Sequence, residues 1–309
     1  MKHLRKYHQL FESQQDLTPE QIDWLDDCVS GSWRVNPQTG LVDIEGDFNY
    51  ESNVPNFNGV RFGDIGGDFK CSRSSLASLE GAPQSVSGNF YCSHNLLTSL
   101  NGAPQSVGGN FSCSHNSLTS LEGGPQSVGY IYQCDHNSLI SLEGAPREIG
   151  WSFDCSNNKL TSLESGPLSI SGDFDCSRNN ISSLEGSPQR VGGYFGCDRN
   201  SLTSLKGAPR TIKRDFNCNI NQLTSLEGAP QTVDGDFDCE YNPVSESALK
   251  AIFGLMKGGK TYQQALERYW PKMSYEDKAL MYKDHSSLTP EEVREYKALA
   301  KYNNIKGYL

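Results

Sequence analysis

No stretch of this sequence approaches the roughly 20 consecutive apolar residues that a membrane-spanning helix needs. The charged start, Met1-Lys2-His3-Leu4-Arg5-Lys6, is followed by no apolar h-region, so no secretory signal is expected. Basic residues are in the minority, 27 Lys and Arg against 37 Asp and Glu, for a net charge of −10. Phosphate-backbone affinity rests on Lys and Arg, so this balance argues against a nucleic-acid partner. Absent too are a Walker P-loop, G-x-S-x-G and H-E-x-x-H, so neither an enzyme nor a cofactor is expected. Although there are ten cysteines, none form a Cys-x-x-Cys pair, the common arm of a structural zinc site. Free cysteines in that number point to a reducing, cytoplasmic compartment.

What the chain does have is a repeat. Cysteines fall at 71, 92, 113, 134, 155, 176, 197, 218 and 239, each 21 residues after the last. An aromatic stands two residues before each, from Phe69 to Phe237, and an asparagine three after each from Asn95 to Asn242. Leu, Ile or Val follows at the fifth position, Leu at the eighth, Pro at the twelfth and Val or Ile at the fifteenth. Upstream, Ile44 to Tyr50 matches the strand part with Tyr50 in the Cys slot, a degenerate first copy that makes about ten. A period of this length with no slippage means a solenoid, in which each unit buries its apolar face only against its neighbours. Phe and Cys, two apart, share one face of a strand and point inward. The asparagines are placed to bond backbone groups at the turn after each strand. Parallel strands about 4.8 Å apart would make ten copies a rod or shallow arc roughly 43 Å long.

In one unit, Asn95, Leu97, Leu100, Pro104, Val107, Phe111 and Cys113 carry a resemblance to the leucine-rich-repeat family, in its short bacterial form. The departures are Gly102 near the family's second Leu and one extra residue between Val107 and Phe111. The wording L-T-S-L-E-G-A-P-Q-S-V is also similar to that of uncharacterised repeat proteins encoded by bacteriophages. The resemblance implies a leucine-rich-repeat solenoid with a parallel β-sheet on a concave face and a mostly non-helical convex side. It further implies a protein partner, and for a phage protein a host factor met in the host cytoplasm.

Helical caps are expected at both ends. Thr18-Pro19-Glu20-Gln21 gives an N-cap, Pro at the first position and a capping box before Ile22, Trp24, Leu25 and Val29. After the array, Ser245, Ser274 and Thr289-Pro290 each start a helical pattern. The division is therefore 1–40, an N-terminal helical cap; 41–244, the solenoid; and 245–309, a C-terminal helical bundle. No cysteine follows Cys239, and the tail is too short for the cysteine-dependent ubiquitin ligase that some bacterial repeat effectors carry.

The candidate interaction surface lies in the columns that vary. His94, His115 and His136 share the column two residues after the Cys, with Arg73, Arg178 and Arg199 elsewhere in it. Three histidines with only Asp135 beside the last read more simply as an exposed edge than as a metal site, so no metal is assigned. The outward strand positions turn acidic toward the C-terminus, at Asp154, Asp173, Asp175 and Asp238, which suits a basic protein partner. Tyr91, Ile131, Tyr194 and Tyr241 are candidate anchors on that face. Arg190, Lys206, Arg210, Lys213 and Arg214 form a basic cluster expected on the opposite side. The cysteine column reads as core packing, because buried free Cys behaves as a small hydrophobe. The rival reading is an assembly protein that self-associates through its helical caps; the oligomeric state is not fixed by the sequence.

Overall fold

A computed structural model describes residues 17–50, 55–224, 226 and 228–243. The expected C-terminal bundle, and self-association through it, lie outside the described residues.

Helix α1 (Pro19–Cys28) starts as the sequence dictates. Thr18 accepts from the Gln21 amide, and Gln21 reaches back to the Thr18 amide at 2.9 Å. The helix lies across the end of the solenoid core: Leu25 is fully buried, and the Trp24 ring meets Phe48 and Tyr50 edge-on at 5.6 Å each. The helical N-terminal cap expected over residues 1–40 is, among the described residues, helical only in α1. After α1 come β1 (Val29–Ser30) and β2 (Trp33–Val35), which pair antiparallel with β4 (Asp47–Asn49) and β3 (Val42–Ile44). These two short strands cover the first edge of each sheet, where an unpaired edge would invite association.

From there every copy adds one strand to each of two parallel sheets. The front sheet runs from β4 through Phe69–Lys70 to Phe237–Asp238, ten in-register parallel strands joined by nine turns. The back sheet runs from β3 through Phe62–Ile65 to Thr232–Val233. The convex side, expected to be mostly non-helical, is thus a second parallel sheet. Its strands are the dipeptides ending on the Val or Ile column, such as Ser106–Val107, and the extra residue before Phe111 belongs to the corner that joins them to the front. A two-residue strand carries no alternation to read, so only the stacking of copies reveals it.

The core lies between the sheets and is closed by the two leucine columns. Phe90, Cys92, Leu97 and Leu100 are all fully buried, and the pattern repeats in each copy. Rings of neighbouring copies stack, Phe69 on Phe90 at 5.4 Å and Phe90 on Phe111 at 5.6 Å. All ten cysteines are free; eight in the column are buried, with Cys28 and Cys239 half-buried. Column thiols such as Cys176 donate to the carbonyl of the next copy, here Gly196, at 3.2 Å.

The asparagine column does what its position suggests, and more densely. Asn179 Nδ2 donates to the carbonyls of Cys155, Cys176 and Ser177 at 3.1, 3.1 and 3.2 Å, and its Oδ1 accepts from the Leu160 amide at 2.9 Å. The glycine that replaces the resembled family's second leucine has a backbone reason. Gly102 has φ +92°, and a Cβ there would meet the Leu79 carbonyl oxygen at 2.5 Å. Among the described residues, no helix is long and apolar enough to cross a membrane.

Candidate functional site

The front sheet and the corner after it bring most of the sequence-chosen residues onto one surface, but in three distinct environments.

The first is the row before each Phe. Asp173 belongs here, and its Oδ1 accepts from the Tyr194 amide at 2.8 Å. Asp68 does the same for Asn89 at 2.9 Å, and Asp215 for Asp236 at 2.8 Å. These acids, Asp173 among them, each turn one oxygen to the backbone of the next copy at a corner. Tyr194, expected as an anchor, is also half-buried: its ring covers Gly196, its hydroxyl accepts from Asn217 Nδ2 at 3.3 Å, and burial raises its pKa. Tyr91 is half-buried, with its hydroxyl 3.5 Å from Asn110 Nδ2.

The second is the row between Phe and Cys, on the outer face of the sheet. Gln133, Asp154 and Asp175 stand in register on successive strands, and Asp238 lies three copies further on. Each of the middle acids turns one oxygen to a backbone amide, Ser156 for Asp154 and Ser177 for Asp175, both at 2.9 Å. Burial pushes the Asp154 pKa up to about 6, and negative Asp175 and Asp135 push the same way. Burial also raises Asp175 and, with the charge of Asp175, Asp198. Asp198, one residue past Cys197, faces Arg199 at 3.9 Å. Burial, and then like charge, disfavours ionisation of these acids, since the parallel ladder forbids them to spread.

The third is the corner after Cys. Every residue of this column from Arg73 to Tyr241 adopts left-handed backbone, with φ between +52° and +59°. The ladder holds it there: the amides of His94, His115 and His136 donate to Ser114, Asp135 and Ser156 carbonyls at 2.9 to 3.1 Å. His is among the residues enriched in this conformation. The three imidazoles stack, 4.2 Å between centroids at both steps and within 15° of parallel. The His115 pKa is lowered by desolvation in the stack, and then by His136 and His94. Arg73, Arg178 and Arg199 extend the column as exposed cations. Asp135 accepts from Ser114 Oγ on one oxygen and contacts His136 Nδ1 at 2.8 Å with the other. The sequence places Asp135 beside His136 alone; the structure also brings it next to His115, one copy back, with one donor atom of each residue within 4.8 Å of the others.

The basic cluster does not share one face as expected. Lys213 pairs with Asp234 at 3.5 Å, while Arg214 reaches Asp173 at the front corner at 3.7 Å. A feature the sequence reading passed over is the exposed, stacked pair Tyr130 and Trp151, 5.9 Å apart and 9° from parallel. The signal was present: both occupy a column that is glycine in most other copies.

No protein-family model matches this chain, and no curated protein matches it. Of solved structures, YopM from Yersinia enterocolitica WA-314 is similar over 60% of this chain, at 19% identity and a TM-score of 0.45. The matched part spans 42% of YopM, less than half of that protein's length.

Proposed function

We propose that this protein is a non-catalytic scaffold that binds another protein, taking a basic segment of it on the outer face of the front sheet. The observation that carries this is the register of Asp154 and Asp175 on adjacent strands, roughly 4.8 Å apart, with both pKa values raised. A rigid ladder cannot relieve the burial and like charge that disfavour these carboxylates, whereas a partner's ammonium or guanidinium would. Charge complementarity of this kind sets the on-rate and the choice of partner more than the raw affinity. The exposed Arg178 and Arg199 beside the acids give the surface a second sign and hence an orientation for the segment. The resemblance to leucine-rich-repeat proteins supports a protein as the partner, and the phage-like repeat wording supports a host protein as its class.

The test is a binding titration of the full chain with a Lys/Arg-rich peptide and a Glu-rich peptide of equal length, repeated with Asp154→Asn plus Asp175→Asn. Saturable binding of the basic peptide alone, falling with salt and several-fold weaker in the variant, is expected. Equal binding by variant and parent would remove the front face from the proposal.

A further inference from the structure

We propose that His115, Asp135 and His136 form a binding site for a divalent transition metal of the zinc class, with water in the remaining position.

The donor set is the first ground. Two imidazole nitrogens and one carboxylate oxygen suit Zn²⁺, which takes such ligands at about 2.0–2.2 Å. In a tetrahedral site of that size neighbouring donors are about 3.4 Å apart. Here a donor atom from each residue already lies within 4.8 Å of the other two, and His136 Nδ1 is 2.8 Å from Asp135 Oδ2. Closing the trio onto an ion therefore needs shifts of about 1 Å. The His136 side chain, 47% exposed, leaves its stack on His115 to turn toward the ion, while the backbone of all three residues is fixed by the inter-copy ladder.

The supporting shell is the second ground. Asp135 is only 15% exposed, and Ser114 Oγ donates to its other oxygen, which leaves Oδ2 aimed at the imidazoles. Outer partners of this sort orient metal ligands. His94 stacks on His115 from the copy before and keeps that ring in place while His136 turns. The local field also favours a cation: Asp154 and Asp175 both interact electrostatically with Asp135, with Arg73 near His115 opposing.

Uniqueness within the array is the third ground. The residue after Cys is serine in the two copies before Asp135 and the two after it, and histidine fills the left-handed corner in three consecutive copies only. The trio is thus assembled once, at residues from adjacent copies, and the periodic sequence alone does not require it.

The experiment is calorimetric titration of the full chain with Zn²⁺ in reducing, chelator-free buffer, alongside His115→Asn, Asp135→Asn and His136→Asn, asparagine being the residue that Asn157 already places in this left-handed corner. One equivalent should bind the parent, and each substitution should weaken binding more than about tenfold while leaving the circular dichroism spectrum and urea midpoint close to the parent's. Loading with Co²⁺ should give the visible absorption of nitrogen and oxygen ligation without a thiolate charge-transfer band. No stoichiometric binding, or binding retained in all three variants, or a thiolate band pointing to the cysteines, would each overturn the proposal.

Discussion

Truncating one member of the asparagine column tests the physical account of the solenoid most directly. In Asn179→Ala, the amide group that bonds three carbonyls and the oxygen that receives the Leu160 amide are both removed from a residue only 8% exposed. The carbonyls are insured: Cys155 O keeps Asn158 at 3.1 Å, and Cys176 O keeps Asn200 at 3.0 Å. The Leu160 amide has no such second partner. An orphaned buried donor costs about 1–3 kcal/mol and the weakened carbonyl bonds add about 1 more, so a loss of about 2–4 kcal/mol is expected. Urea unfolding at pH 7 followed by far-UV circular dichroism measures it. The geometry makes a second demand. Removing both Asn179 and Asn200 strips Cys176 O of both side-chain donors, so the double substitution should exceed the sum of the singles by about 1 kcal/mol. Single losses below about 0.5 kcal/mol, or strict additivity, would refute the ladder as a source of stability.

Asp154 sets a pH dependence. Its folded pKa, about 6, lies above the ordinary 3.8, so its stabilising contribution is full below about pH 4 and is lost as pH rises through 6. Asp154→Asn, which can still accept from the Ser156 amide, should raise the urea midpoint at pH 7 and flatten it between pH 4 and 6. Gly102→Ala should lower the melting temperature, by about 1–3 kcal/mol of stability, because of its φ of +92° and the Leu79 carbonyl; Ser165→Gly, at φ +66° in the same column, should raise it. Tyr132 fills a Phe slot with a buried hydroxyl that has no partner, so Tyr132→Phe should stabilise the fold by about 1 kcal/mol in the same assay. A thiol reagent at pH 8 should label at most Cys28 and Cys239 of the ten thiols in the native chain, and all ten in denaturant; burial pushes the Cys28 pKa up to about 11 and raises those of the buried column thiols such as Cys155.

The 21-residue period, the inward Phe and Cys, the leucine columns, the asparagine ladder and the capping box before Trp24 and Leu25 were all legible in the sequence. Each is a local rule: a spacing fixes which face a residue takes, and a cap needs only its own turn. Stacking the copies decided the rest. The back sheet exists because two-residue segments find partners 21 positions away, and β1 and β2 are strands only because β4 and β3 offer edges. The same long-range ladder sorted residues that look alike in the sequence. Asp173 and Asp175 are two apart, yet one caps the Tyr194 amide while the other stands beside Asp154 on the open face. Asp135, written next to His136, gained His115 as a second neighbour only when adjacent copies came into register. Periodicity fixes the columns; contact across copies decides which members of a column can act together, because that contact joins residues some 20 apart in the chain.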